Sequence, residues 1–216
     1  MVAQVPSIRD KACVSLILAS ASPRRADLLR SAGIDPVVAP VHCDETWHPG
    51  ESPETYARRI AKDKAELAQR PGARILAADT TVWIDAALPP IGKPRDREEA
   101  QSILRTLLLA GQHQVTTAFA IVDTRSRKPR WHQGMTTTRV LMRTQISDAL
   151  DRTLGRYLDT EEWRGKAGGY AIQGHAAGLV RSIEGSYTGV VGLPVAEVLD
   201  ALDALDALDE DAPLSA

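Results

Sequence analysis

The stretch 14–33, VSLILASASPRRADLLRSAG, limits what this chain can fold into more than any other segment. Its apolar run, Val14–Ala19, is bounded by small residues and reads as a buried strand. Pro23 suits a first helical position, because the N–H it lacks would have no intrahelical partner there. Ser22 falls at the N-cap. Gly33 can take the left-handed conformation that closes a helix over Pro23–Ala32. Strand, tight turn and helix make a βα unit, whose strand must be covered by helices.

The pattern continues. Pro36–Val41 reads as a short second strand, and Ser52, with Thr55 and Tyr56, opens a long helix through about Gln69, stopped by Pro71 and Gly72. ARILAADTTVWIDA is a strongly apolar strand interrupted midway by Asp79, Thr80 and Thr81. Asp96 and Glu99 look like a capping box before a helix to about Ala110. HQVTTAFAIVDT and HQGMTTTRVLMRT flank the polar turn RSRKPRW as an antiparallel hairpin. A helix from about Ser147 to Asp159, a glycine-rich segment, a strand at Leu179–Ile183 and a helix from about Pro194 complete the chain. The expectation is an α/β fold: a mixed sheet with flanking helices. Residues 14–208 read as one domain, after an extension at 1–13 and before an acidic, frayed tail at 209–216. In the tract LDALDALDALDEDAPLSA, leucines spaced by three drift around a helix of 3.6 residues per turn. Only the first turns of that helix should dock.

With 216 residues, 44% of them hydrophobic, the chain can bury a sizeable core. A net charge of −2 gives no global basic field, so neither nucleic acid nor an anionic membrane is an expected partner. No stretch approaches the roughly 20 apolar residues of a membrane span. Cys13 and Cys43 are too few for a disulfide framework and fit a reduced compartment. Arg9 and Lys11 precede an apolar run in the order of a secretory leader, but the run is short and Asp10 interrupts the basic segment. The chain is read as cytoplasmic.

Arg24 and Arg25 stand where a helix is already positive, which is unfavourable by a few tenths of a kcal/mol each unless an anion offsets it. Read alone, they either splay into water or face a ligand. Asp79 closes the run ILAA at what reads as a strand's C-terminal edge, where open α/β sheets bind ligands. It is either a turn cap or a carboxylate with a cation or proton role. Glu45, Lys64 and Lys93 are ambiguous by themselves. The five histidines lack the spacing of a zinc site, and neither a GxSxG elbow nor a P-loop occurs. Cations at a helix start and acidic residues near a sheet edge suit a polyphosphate held with a divalent metal, whose hydrolysis needs mainly positioning and charge neutralisation.

LASASPRRADLL, DET, AKDKA, AADTTV, GKPRD, KAGGYAIQG and GSYTGVVGLPVAEV resemble, in order, motifs of the Maf family of nucleoside triphosphate pyrophosphatases, over about residues 14–200. The resemblance implies two lobes around a central cleft, as in the inosine triphosphate pyrophosphatases. It implies hydrolysis of a nucleoside triphosphate to the monophosphate and pyrophosphate, with Mg²⁺ or Mn²⁺. Asp79 matches the family's general base, and Ser20, Ser22, Arg24, Arg25, Glu45, Lys64 and Lys93 match its other polar site residues, with Glu45 and Asp79 as metal ligands. Within the family, the sequence looks most like the dTTP/UTP pyrophosphatases, whose specificity positions fall on Arg24, Thr80 and Gln173. A carboxamide such as that of Gln173 complements the O4/N3–H edge shared by uracil and thymine. Arg25 would then hold phosphate only. The same reaction on another nucleotide such as 7-methyl-GTP, and a nucleotide-binding regulator of cell division without catalysis, are the competing expectations. A homodimer is the family-level expectation for assembly.

Overall fold

The structure is a computed structural model, and it describes residues 15–144 and 148–210. The expected extension at 1–13, Cys13, the helix start at Ser147 and the end of the tail at 211–216 lie outside the described residues. In chain order the elements are β1 (Leu16–Leu18), α1 (Pro23–Ser31), β2 (Val37–Val38), α2 (Pro53–Leu67), β3 (Arg74–Trp83), α3 (Arg97–Ala110), β4 (Gln112–Asp123), β5 (Arg130–Met142), α4 (Asp148–Asp159), β6 (Val180–Glu184), α5 (Tyr187–Val191) and α6 (Val195–Glu210). Two 3₁₀ turns, Ala167–Gly169 and His175–Leu179, lie between α4 and β6.

The strands form one mixed sheet in the order β2-β1-β3-β4-β5-β6. β2, β1 and β3 are parallel, while β3 through β6 are antiparallel, so the βα half and the hairpin half meet at β3. Ile17, Ile75, Ala77, Ala118 and Ala120 face α2 through its alanine-rich side, Ala57, Ala61 and Ala65. On the opposite face, Leu18, Leu76, Ala78, Phe119 and Ile121 pack against α1 and α6. A separate apolar mass gathers α3 and α4 around the far ends of β3, β4 and β5, at Val82, Val115, Val140 and Met142. The cleft opens between this mass and the α1/α2 end of the sheet.

Several local expectations change. β3 does not break at Asp79: it runs through Asp79, Thr80 and Thr81 to Trp83, with every residue paired to β4. The polar residues are tolerated because β1 stops at Leu18, opposite Leu76, and beyond that point one edge of β3 faces the cleft. The next strand partner on that edge is the bridge between Val82 and Ile91. β2 spans two exposed residues rather than six. Ser22 holds the N-cap position of α1, but its side chain makes no capping hydrogen bond. Asp96 accepts from the Glu99 N–H, whereas Glu99 turns to the Arg95 N–H, so the box closes on one side only. Gly33 has φ +82°, as its place after α1 requires. α6 continues as a regular helix to Glu210, beyond the expected fraying point at 209, with Val198, Ala201, Leu202 and Leu205 buried and Leu208 55% exposed.

Candidate active site

The chain leaves β1 after Ala19, whose N–H donates to the Leu76 carbonyl at 2.8 Å, and folds back over β3 into α1. That return brings Ser20, Ser22, Arg24 and Arg25 to the cleft beside Asp79 and Thr80. Ser20 is buried, and its hydroxyl accepts from the Ser22 N–H at 3.2 Å and from Arg25 Nη1 at 2.9 Å. Arg25 also donates through Nε to the Gly192 carbonyl at 2.7 Å and through Nη2 to Thr80 Oγ1 at 3.2 Å. Arg24 Nε donates to the Val191 carbonyl at 3.2 Å. Both arginines therefore meet carbonyls at the C-terminal end of α5, the negative end of a helix. Gly192 has φ +134°, a conformation that favours glycine. Burial pulls both guanidinium pKa values down, with nearby Asp79 opposing the shift at Arg25.

The acidic side of the cleft centres on Lys64. This α2 side chain is buried, with Nζ 2.6 Å from Glu45 Oε1 and 2.9 Å from Asp79 Oδ1. Burial works against the ammonium, but Asp79 and Glu45 outweigh it, and the Lys64 pKa lies above its ordinary value. Glu45 is pushed up by burial and down, more strongly in sum, by Lys64, Lys93 and Arg25, so it lies below the usual carboxylate range. Tyr56, on the same helix as Lys64, donates its hydroxyl to the Glu45 carbonyl at 2.8 Å and fixes that loop. Lys93 is more loosely attached: its Nζ is 3.9 Å from Glu45 Oε2 and the side chain is mostly exposed.

The cleft holds about 700 Å³. Six cationic side chains line it, Arg24, Arg25, Lys64, Lys93, Arg164 and Lys166, against the carboxylates of Glu45, Asp79 and Glu162. The site is thus locally positive in a chain of net charge −2, and suits a polyanion. Its far wall is the segment 170–174, where Ala171 and Ile172 are buried and Gln173 is exposed. All ten residues singled out in the sequence line this one cleft. Arg164 and Lys166 escaped the sequence reading. Lys166 opens the motif KAGGYAIQG, but a lysine in a loop carries no signal until the loop is seen to fold over Arg24. Its pKa is lowered by burial and by Arg24.

Among the described residues no group of three or more His, Cys, Asp or Glu forms a metal cage. The donor set nonetheless suits a hard divalent cation brought with a phosphate ligand, which usually takes one or two protein carboxylates and completes its shell with phosphate oxygens and water. Glu45 and Asp79 converge on one cation already, the Lys64 ammonium.

The family model described as "Maf-like protein" matches residues 15–205. A dTTP/UTP pyrophosphatase of Hyphomonas neptunium is 44% identical over 185 residues, covering 84% of this chain and 91% of the relative. A second, from Geobacter sp. strain M21, is 44% identical over 189 residues, covering 86% and 92%. A solved nucleoside-triphosphatase, a dITP/XTP pyrophosphatase from Mycobacterium abscessus, covers 68% of this chain and 95% of its own at 13% identity and a TM-score of 0.38, too slight a likeness to argue from. The family match over nearly the whole described chain, together with relatives at this identity, establishes that the protein belongs to the Maf family.

Proposed function

We propose that the protein hydrolyses dTTP and UTP, and modified pyrimidine triphosphates of the same shape, to the nucleoside monophosphate and pyrophosphate. The observation that carries this reading is the cleft itself: six cations around two carboxylates that converge on a single cation. The relatives named dTTP/UTP pyrophosphatase supply the choice of nucleotide. In this reading Asp79 takes the proton of a water that attacks the α-phosphorus, and pyrophosphate leaves. Arg24, Arg25, Lys64 and Lys93 neutralise the triphosphate, with Lys64 turning from the carboxylates toward phosphate oxygen when substrate enters. Arg164 and Lys166 add charge from the opposite wall. Ser20 and Ser22 line the approach, and Gln173 presents one donor and one acceptor to the pyrimidine edge, with Thr80 and Arg24 completing the choice of substrate. Glu45 and Asp79 would hold Mg²⁺ or Mn²⁺, which when bound polarises the phosphoryl oxygens and neutralises developing charge.

Asp79→Asn tests the base. A positioned general base is worth roughly 10²–10⁴-fold, so turnover should fall by that factor while the nucleotide still binds. Near-wild-type turnover would remove Asp79 from the role. A panel of dTTP, UTP, 7-methyl-GTP and the purine triphosphates, followed by monophosphate and pyrophosphate release, tests the substrate. The pyrimidines should show the highest kcat/KM. Binding without pyrophosphate release at either metal would instead support a non-catalytic regulator.

A further inference from the structure

Thr80 and Thr117 are cross-strand partners on β3 and β4, and their hydroxyl oxygens are 2.9 Å apart. Thr117 is fully buried and donates its hydroxyl proton to the Gly189 carbonyl at 2.7 Å. A threonine hydroxyl has one proton. The carbonyl can only accept, so Thr117 has no proton left for Thr80, and the proton between the two threonines must come from Thr80. Arg25 Nη2, a donor only, occupies one lone pair of Thr80. The chain of bonds therefore runs one way, from Arg25 through Thr80 and Thr117 to Gly189, and ends in the motif GSYTGVVGLPVAEV, whose other carbonyls hold Arg24 and Arg25.

We propose that Thr117 is a positioning residue that turns the Thr80 hydroxyl proton into the sheet, so that Thr80 meets the substrate as a hydrogen-bond acceptor only. An ionised phosphate oxygen cannot satisfy such a group, because it too only accepts. The matching substrate group is an N–H or O–H donor. This rests on the pyrimidine triphosphate reading above, in which the Gln173 carboxamide takes the base N3–H, so the remaining donor common to dTTP and UTP is the sugar 3′-hydroxyl. Thr117→Val keeps the shape but removes the acceptor and frees the Thr80 proton to rotate toward the cleft.

Two measurements test this. Neutron diffraction of the ligand-free protein should place a deuteron on Thr80 Oγ1 directed at Thr117, and this result does not depend on any substrate assignment. A deuteron on Thr117 directed at Thr80 would overturn the proposal. In kinetics, wild type should lose roughly three- to tenfold in kcat/KM on 3′-deoxy-UTP relative to UTP, the scale of one hydrogen bond. Thr117→Val should shrink that penalty toward unity and Thr117→Ser should keep it, a pattern that loss of packing alone would not produce. An undiminished penalty in Thr117→Val, or no penalty with 3′-deoxy-UTP in wild type, would contradict the role. Failure of wild type to turn over any pyrimidine triphosphate would instead sink the functional reading and leave the neutron result to decide the direction of the bonds.

Discussion

Arg25 spends three donors on the protein itself, at Ser20, Thr80 and Gly192, whereas Arg24 spends one, at Val191. The pair therefore divides in how firmly each is tied to the protein. Arg25 ties the β1–α1 turn, β3 and the end of α5 together, and in the proposed function its unused N–H groups are those left for phosphate. Arg25→Lys retains the charge but loses the planar fork, so it should lower kcat/KM by at least tenfold and destabilise the fold by about 2 kcal/mol, read by urea unfolding. Arg24→Lys should change the ranking of nucleotides more than the stability. Two cations at a helix start point in the sequence toward an anion. Part of that anion turns out to be the carbonyl end of α5, 167 residues away, and helical periodicity carries no trace of such a partner. Ser22, by contrast, is placed at the N-cap as its sequence context predicts, yet its side chain makes no capping hydrogen bond, while its N–H donates to the Ser20 hydroxyl.

At the scale of elements, β3 decides where the site lies. Its apolar run ILAA is legible as a buried strand, but the residues after it are ambiguous. An aspartate and two threonines in succession look like a strand's end, yet they continue a strand that has lost its neighbour on one edge. Only the length of β1 settles this, and register between distant strands is not written in either strand alone. α6 shows the reverse case. The three-residue leucine spacing predicts a stripe that rolls out of contact, and Leu202 and Leu205 are 2% and 3% exposed while Leu208 is 55% exposed. Leu202→Ala should cost about 2–4 kcal/mol of unfolding free energy, as buried leucines do. Leu208→Ala should change it by less than about 0.5 kcal/mol, as expected of an exposed site. Equal effects in thermal melts of the two variants would mean that the helix does not dock as described.

At the scale of the whole molecule, His113 and Asp123, which do not line the cleft, add acid sensitivity to that of Glu45 within it. His113 is 2% exposed, with its Nε2 2.8 Å from the Tyr170 hydroxyl, and burial lowers its pKa from 6.5 to about 4. Below pH 6.5 the unfolded chain binds a proton there that the folded protein refuses until about pH 4, so stability falls as the pH drops through this window. Asp123 is opposed by burial but held down to about 2 by Arg125 and Arg74, which adds a second loss as the pH falls from 3.8 toward 2. Denaturant unfolding should show a loss of up to about 3 kcal/mol between pH 7 and pH 4, and His113→Gln should flatten that decline. An unchanged slope in the variant would assign the effect to other groups.

The α/β class, the order of elements and the family were legible from motif order and periodicity. The one-way hydroxyl chain and the cations of the 164–166 loop were not, since both depend on tertiary register. Among the described residues no helix is long and apolar enough to cross a membrane. What the molecule assembles is a positive cleft on a slightly acidic chain, and the proposed function makes Asp79 in it the carboxylate that activates water. The most direct test of that claim is hydrolysis of dTTP in ¹⁸O-labelled water, with mass analysis of both products. Attack at the α-phosphorus predicts the label in the nucleoside monophosphate and none in the pyrophosphate. Label in the pyrophosphate, or release of inorganic phosphate as the first product, would contradict the account.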